Sequence, residues 1–200
     1  DGVLIEGTTR LIGAFNFDNL LMSVAIAVIS GVDPIEISAN LSYFVGAPGR
    51  LEQVNVGQDF LAFVDYAHTP DAVNNVLKSA REMTKGKVIA VLGCGGDRDR
   101  TKRPQMGRAL TAADFPIFTS DNPRSENPET ILQEMVSGLK HSGEVIVDRR
   151  AAIAKAVAFA KPGDVVAILG KGHETGQEIA GVKHAFDDRK VLAEEIAGLK

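Results

Sequence analysis

Residues 119–128 read TSDNPRSENP and follow the short apolar run of DFPIF. Asn122-Pro123 initiates turns, so a turn that closes a buried strand is one reading. A turn alone needs neither the carboxylate of Asp121 nor the guanidinium of Arg124. Other apolar runs end in the same way: in DYAHTPD with Asp65 and His68, in GCGGDRDRTKRP, in DRR with Asp148 and Arg149, and in GKGHE. Structural loops need Gly, Pro, Asn and Asp. They do not need Arg98, Arg103, Arg124, Lys171 and Glu174 gathered at one end of a sheet. Open α/β sheets bind ligands outside the carboxyl ends of their strands, so this concentration argues for a site.

The loops differ in what they could do. GCGGDRDRTKRP lacks the G-x-x-x-x-G-K-[ST] spacing of a phosphate-binding P-loop. It could form a backbone nest for an anion, helped by a local charge of +2 from Asp97 to Arg103. GKGHETG approaches a dinucleotide fingerprint but has Thr175 where the third glycine belongs. For both loops, glycines that merely allow tight turns remain the alternative. His68, His141, His173 and His184 have no metal-ligand spacing with one another or with cysteine, so no metal ligand is assigned. Cys94 precedes DRDR, a setting that could lower a thiol pKa. It has no assignable His or Asn partner, and no covalent catalytic residue is assigned.

The elements that must position these residues follow from apolar patterning. KVIAVLG, FPIFTS, EVIVD and DVVAILG are short runs with few polar interruptions, as in strands buried on both faces of a parallel sheet. LEQVNV and FLAFVDY flank GQD and read as a hairpin. Helices are expected near 70–83, 104–113, 128–141 and 149–160, two of them with Pro70 and Pro128 at the first helical position. A hairpin, QEIAGVKHAF, and a helix, DDRKVLAEEIAGL, end the chain. The whole predicts an α/β fold: an open, mostly parallel sheet with helices on both faces.

Ahead of this lies a different region. GVLIEGTTRLIG reads as a hairpin or two short strands around Glu6-Gly7, and FDNLLMSVAIAVISG as a buried helix whose core stripe is Leu20, Val24, Ala27 and Val28. DPIEISANLSYF reads as a second helix with Asp33 as N-cap and Pro34 at N1. VGAPGR is the best domain boundary, dividing 1–46 from 47–200. The opening DGVLIEGTTR shows no signal peptide and reads as part of something larger.

Composition sets outer limits. The 200 residues are 44% hydrophobic and 24% charged, as in ordinary globular proteins. A net charge of −4 gives no general electrostatic case for nucleic acid. One cysteine excludes an internal disulfide and fits a reducing, cytoplasmic setting. No apolar run is long enough to span a membrane.

Taken in order, GAFNFDNLLMSVAIAV, PGRLEQV, VDYAHTPDAV, GCGGDRDRTKRPQMG, SDNPRSENP, DRRAAI and GKGHE resemble the Mur ligases over nearly the whole chain. Within that family the resemblance is to members that add meso-diaminopimelate to UDP-N-acetylmuramoyl-L-alanyl-D-glutamate. It implies an ATP-dependent amide ligase of peptidoglycan synthesis that proceeds through an acyl phosphate with Mg²⁺. It implies that residues 1–46 end a central ATP-binding domain and that 47–200 form a Rossmann-like amino-acid-binding domain. The P-loop and the Mg²⁺-binding segment of the family have no match here. Arg98, Asp121, Asn122, Pro123, Arg124, Gly170 and Glu174 then take the distal end of diaminopimelate, with an arginine fork on its carboxylate and the acids on its ammonium. Asn19, Arg50 and Asp65 then face ATP.

The resemblance further implies a monomer whose partners are diaminopimelate and the UDP-N-acetylmuramoyl-dipeptide. Two alternatives stay open. One is a lysine-adding or folylpolyglutamate-type ligase, against which Arg124 argues because lysine lacks the distal carboxylate. The other is a non-catalytic amino-acid-binding module.

Overall fold

A computed structural model describes residues 4–140 and 143–199; His141 lies outside the described residues. The chain divides into two compact units, Asp1–Ala47 and Pro48–Lys200.

In the first unit, α1 (Ala14–Ile29) ends with the amides of Gly31 and Val32 donating to the carbonyls of Val28 and Ala27. α2 (Pro34–Asn40) begins at Asp33, whose carboxylate accepts from the Ile35 amide at 2.8 Å. A 3₁₀ turn, Leu41–Tyr43, follows. Leu20, Ile37 and Leu41 form a small core with Ile5, Leu11, Val24 and Ala27 against it.

Two expectations fail here. Among the described residues, 4–12 form no strand, so the hairpin at Glu6-Gly7 is absent; the Glu6 amide donates instead to the Ser38 hydroxyl. The helix α1 is not buried all round. Val28 is 40% exposed, as are Leu21, Met22, Ile26 and Ile29 to greater degrees, because a core of three buried residues covers only one side of a helix.

The second unit is a six-stranded sheet in the order β1-β2-β6-β3-β4-β5. Its strands are β1 (Glu52–Gln53), β2 (Leu61–Asp65), β3 (Val88–Cys94), β4 (Phe115–Ser120), β5 (Glu144–Ile146) and β6 (Val165–Leu169). Only β1 is antiparallel, pairing Glu52 with Val64 and Gln53 with Phe63. The connecting helices are α3 (Pro70–Glu82), α4 (Arg103–Leu110), α5 (Pro128–Val136) and α6 (Arg149–Phe159). β7 (Gly176–Ile179) and β8 (Val182–Ala185) make a separate two-stranded hairpin before α7 (Asp188–Ala197).

Thr69, Asn127 and Asp148 cap α3, α5 and α6 by accepting from amides of the first turn. α5 is shorter than its apolar pattern suggests. The chain leaves helical geometry at Ser137 and turns at Gly138, φ 76°.

Alternation along each strand supplies both faces of the sheet. Ala62, Val64, Ile89, Val91, Ile117, Val166 and Ile168 pack with α6 and α7 through Ile153, Val157 and Leu192. Their strand neighbours Phe63, Ala90, Leu92, Phe118 and Leu169 are equally buried, on the side of α3, α4 and α5. Full burial of such a side chain stabilises by about 1.5–3 kcal/mol. This rigid sheet fixes where its loops begin. Because β6 lies between β2 and β3, the loop after β6 emerges between those after β2 and β3, with the loop after β4 one strand further on.

Candidate functional site

The carboxyl ends of β2, β3, β4 and β6 surround a cavity of about 400 Å³. Arg98, Asp121, Asn122, Arg124, Gly170 and Glu174 line it, together with Tyr66 and His68. Pro123 is buried beside it. Arg50 and Asp65 belong to the same unit but do not line the cavity. Arg50 stacks over the Tyr66 ring at 5.2 Å. Asp65 is buried, and its two oxygens accept from the amides of Leu51 and Ala67, each at 2.8 Å. Asn19 lies exposed on α1, in the other unit.

The loop 121–124 is held from three directions. The Asn122 carbonyl accepts from the Gly96 amide at 2.8 Å. This approach is possible only without a side chain at 96: a Cβ there would stand 1.9 Å from the Pro123 carbonyl oxygen. On the other side the hairpin grips the loop. Arg124 donates its amide to the Glu178 carbonyl at 3.0 Å and accepts from the Ala180 amide at 2.7 Å. Gln177 Nε2 donates to the Asp121 carbonyl at 2.7 Å, and the Glu178 amide to Asn122 Oδ1 at 3.0 Å.

These bonds keep Arg124 at φ 52°, a left-handed conformation that costs a non-glycine residue energy and is met at ligand sites. Its Nη1 donates to the Gly96 carbonyl at 2.7 Å, with Glu178 Oε2 3.7 Å from Nε.

The floor is ionic. Lys171 is fully buried, with Nζ 3.0 Å from Asn122 Oδ1, 3.1 Å from Glu174 Oε2 and 3.4 Å from Asp121 Oδ1. Asn122 Nδ2 also donates to Glu174 Oε2 at 2.9 Å. Burial raises the Asp121 carboxyl above its usual range, against the pull of Arg149 and Lys171. Burial opposes ionisation of Glu174 too, but Asn122 and Lys171 outweigh it and hold that carboxyl below its usual range.

Arg103, also buried, joins the far wall. It donates to both oxygens of Glu126, at 2.7 and 2.9 Å, to Glu134 at 2.7 Å and to the Gly95 carbonyl at 3.3 Å. Cys94 is poor as a nucleophile, since burial and then Asp121 push its thiol up to about 12.

The site thus offers guanidinium groups and carboxylates lining one concave space, which suits a ligand end bearing both charges. Sequence reasoning did not single out Gln177 and Glu178, which grip Asp121 and Asn122, or Glu126, which pairs with Arg103.

The family model for the Mur ligase, glutamate ligase domain matches residues 49–172, which include every strand end around this cavity. The chain belongs to the Mur ligase family. Among curated Mur ligases, the UDP-N-acetylmuramoyl-L-alanyl-D-glutamate–2,6-diaminopimelate ligase of Streptomyces coelicolor is 51% identical over 98% of this chain. That of Bacillus cereus is 50% identical over 97%. This Mur ligase chain spans 40% of the length of each. A solved structure of a ligase with that name is 42% identical, covers 96% of this chain with 40% of its own, and superposes with a TM-score of 0.77. The Mycobacterium tuberculosis folylpolyglutamate synthase shares the fold alone, at 19% identity and a TM-score of 0.59 over 81% of this chain and 38% of its own.

Proposed function

We propose that this chain is the amino-acid-binding part of an ATP-dependent ligase that adds meso-diaminopimelate to UDP-N-acetylmuramoyl-L-alanyl-D-glutamate. One observation carries the reading: Arg98 and Arg124 share a cavity with Asp121 and Glu174. The distal carboxylate of diaminopimelate lies against the guanidinium groups, and its distal ammonium against the carboxylates. The pocket holds the non-reacting end and leaves the other amine free to attack the activated glutamate carboxyl. This chain therefore contributes position and charge, not a covalent nucleophile.

Asn19, Arg50 and Asp65 serve the ATP side. Arg50, stacked on Tyr66, is exposed and available to a nucleotide. Asp65 acts there by holding Leu51, next to Arg50, through its carboxylate. Among the described residues no three His, Cys, Asp or Glu side chains gather as a metal site would. The Mg²⁺ of the family finds no ligand set among them, and none of these roles depends on it. A cytoplasmic reaction carried out by a monomer completes this reading, and substrates such as diaminopimelate and a UDP-linked precursor support it. No described helix is long and apolar enough to cross a membrane.

The test is Arg124→Ala in the full-length protein. An unpaired distal carboxylate loses roughly 1.5–3 kcal/mol, or at least about tenfold in kcat/KM for diaminopimelate. Lysine has no such carboxylate, so its poor use changes little. An equal fall for both amino acids makes Arg124 a structural residue and overturns the reading.

A further inference from the structure

Lys171 has no assigned part in the binding scheme, yet it bonds three of the residues that scheme uses, Asp121, Asn122 and Glu174. The glycines on either side take φ 108° and 52°, which turns the chain sharply as it leaves β6. The lysine ammonium reaches residues some fifty positions earlier, just past the end of β4. Three oxygens surround it: Asn122 Oδ1, Glu174 Oε2 and Asp121 Oδ1, at 3.0, 3.1 and 3.4 Å. Its side chain is 0% exposed, while Asp121 and Glu174 keep 15% and 35% and line the cavity. The lysine cannot reach a ligand. The two acids can.

Two carboxylates bonded to one cation repel each other once it is removed, and such pairs share a proton. The remaining charges act on the acids without bonding them together. Arg149 on α6 favours the charged form of Asp121 but directs its hydrogen bonds to Asp188 of α7 and to the Ser120 and Leu169 carbonyls. Arg124 does the same for Glu174 while facing Glu178, and Cys94 at the end of β3 carries no charge.

We propose that Lys171 is the positioning residue of the pocket: its buried ammonium holds Asp121, Asn122 and Glu174 in one arrangement and favours the charged form of both acids, which receive the substrate's distal ammonium. The inference rests on the amino-acid-binding reading above. It adds that the preference for a ligand ammonium depends on a lysine the ligand never touches.

The experiment is Lys171→Met in the full-length enzyme, with KM measured separately for meso-diaminopimelate and ATP from pH 6 to 8.5. KM for diaminopimelate rises about tenfold or more, the loss of one charge-assisted hydrogen bond, and KM for ATP stays within about twofold. The rise is steeper at pH 6 than at pH 8.5, because the proton shared by the acids removes an acceptor for the ligand ammonium as pH falls. Wild type shows no such slope in the ratio of the two constants.

Lys171→Met with Asp121→Asn leaves a single acid. It keeps the high KM but loses the slope, and it carries the test if the single variant does not fold. A folded Lys171→Met enzyme with unchanged diaminopimelate KM, or with both constants raised alike at every pH, overturns the inference alone. A wild-type enzyme that does not use diaminopimelate overturns the functional reading beneath it.

Discussion

Arg149 and Asp188 meet as a pair with no solvent exposure, the guanidinium donating from Nε at 2.8 Å and from Nη2 at 2.6 Å. The same guanidinium donates to the carbonyls of Ser120 and Leu169, at 3.3 and 3.0 Å. It therefore ties α6 and α7 to the last residues of β4 and β6, the two strands that launch the pocket loops. Asp188→Ala strands a buried cation and should cost about 3–5 kcal/mol. Urea unfolding would show a lowered midpoint with an unchanged slope. Replacing both partners, Arg149→Met with Asp188→Leu, should cost less than the single change. A single variant as stable as wild type contradicts the account.

Gly96 gives a second prediction. In Gly96→Ala the new methyl meets backbone, the Pro123 carbonyl, at 1.9 Å, so the two loops must separate. Forced local shifts of this kind cost about 1–3 kcal/mol. Arg124 loses its grip on the Gly96 carbonyl in the same movement, so KM for the amino acid should rise while KM for ATP holds. A variant with wild-type constants would show that the loops part without consequence.

Acid should loosen the wall built on Arg103. Hydrogen bonds from Arg103, then from the Asp97 amide, hold the Glu126 carboxyl at about 2. Arg100 and Arg103 likewise lower Glu134. A folded-state value below the unfolded one means that the stabilisation is present above the ordinary glutamate range and is lost as pH falls toward 2. Denaturation midpoints at pH 6 and pH 3 should therefore diverge for wild type and converge for Glu126→Gln. Equal acid losses in both proteins would remove Glu126 from the explanation.

Asp65 has the opposite sign. Burial raises its carboxyl despite the amides of Leu51 and Ala67. Its contribution therefore favours low pH and fades as pH rises through the folded-state value. Asp65→Ala leaves two amides without their acceptor, at about 1–3 kcal/mol each where they stay dry. Leu51, at φ 40°, loses the bond that holds it there. If the ATP role holds, KM for ATP rises more than KM for diaminopimelate. The reverse pattern assigns Asp65 to the fold.

Much of the layer structure is legible because βα alternation is a local signal: Val88–Cys94 and Val165–Leu169 announce themselves as apolar runs. The clustering of Arg98, Arg124 and Glu174 follows once those strands are parallel. What stays hidden depends on contacts between distant residues. Nothing around Lys171 marks it as buried, since lysine is ordinarily exposed and two of its three partners, Asp121 and Asn122, lie about fifty positions away. The grip of Gln177 and Glu178 on Asp121 and Asn122 leaves no periodicity either. On either side of Glu6-Gly7 the apolar runs are real, but among the described residues no strand lies beside them to pair with. The apolar face of α1 shows that hydrophobic content alone does not say what covers a helix.

The hairpin β7–β8 is outside the six-stranded sheet, yet Arg124 is bridged to its Ile179. Its outer strand is exposed along its whole length, whereas β6 is buried throughout. Elements so differently buried open at different free energies. Amide exchange at Arg124 and Ala180 should therefore run ahead of that at Ile168 by orders of magnitude. The hairpin side of the cavity can then detach and reseat while the sheet stays intact; if that side selects the amino acid as proposed, selectivity and global stability are separately adjustable properties of this chain.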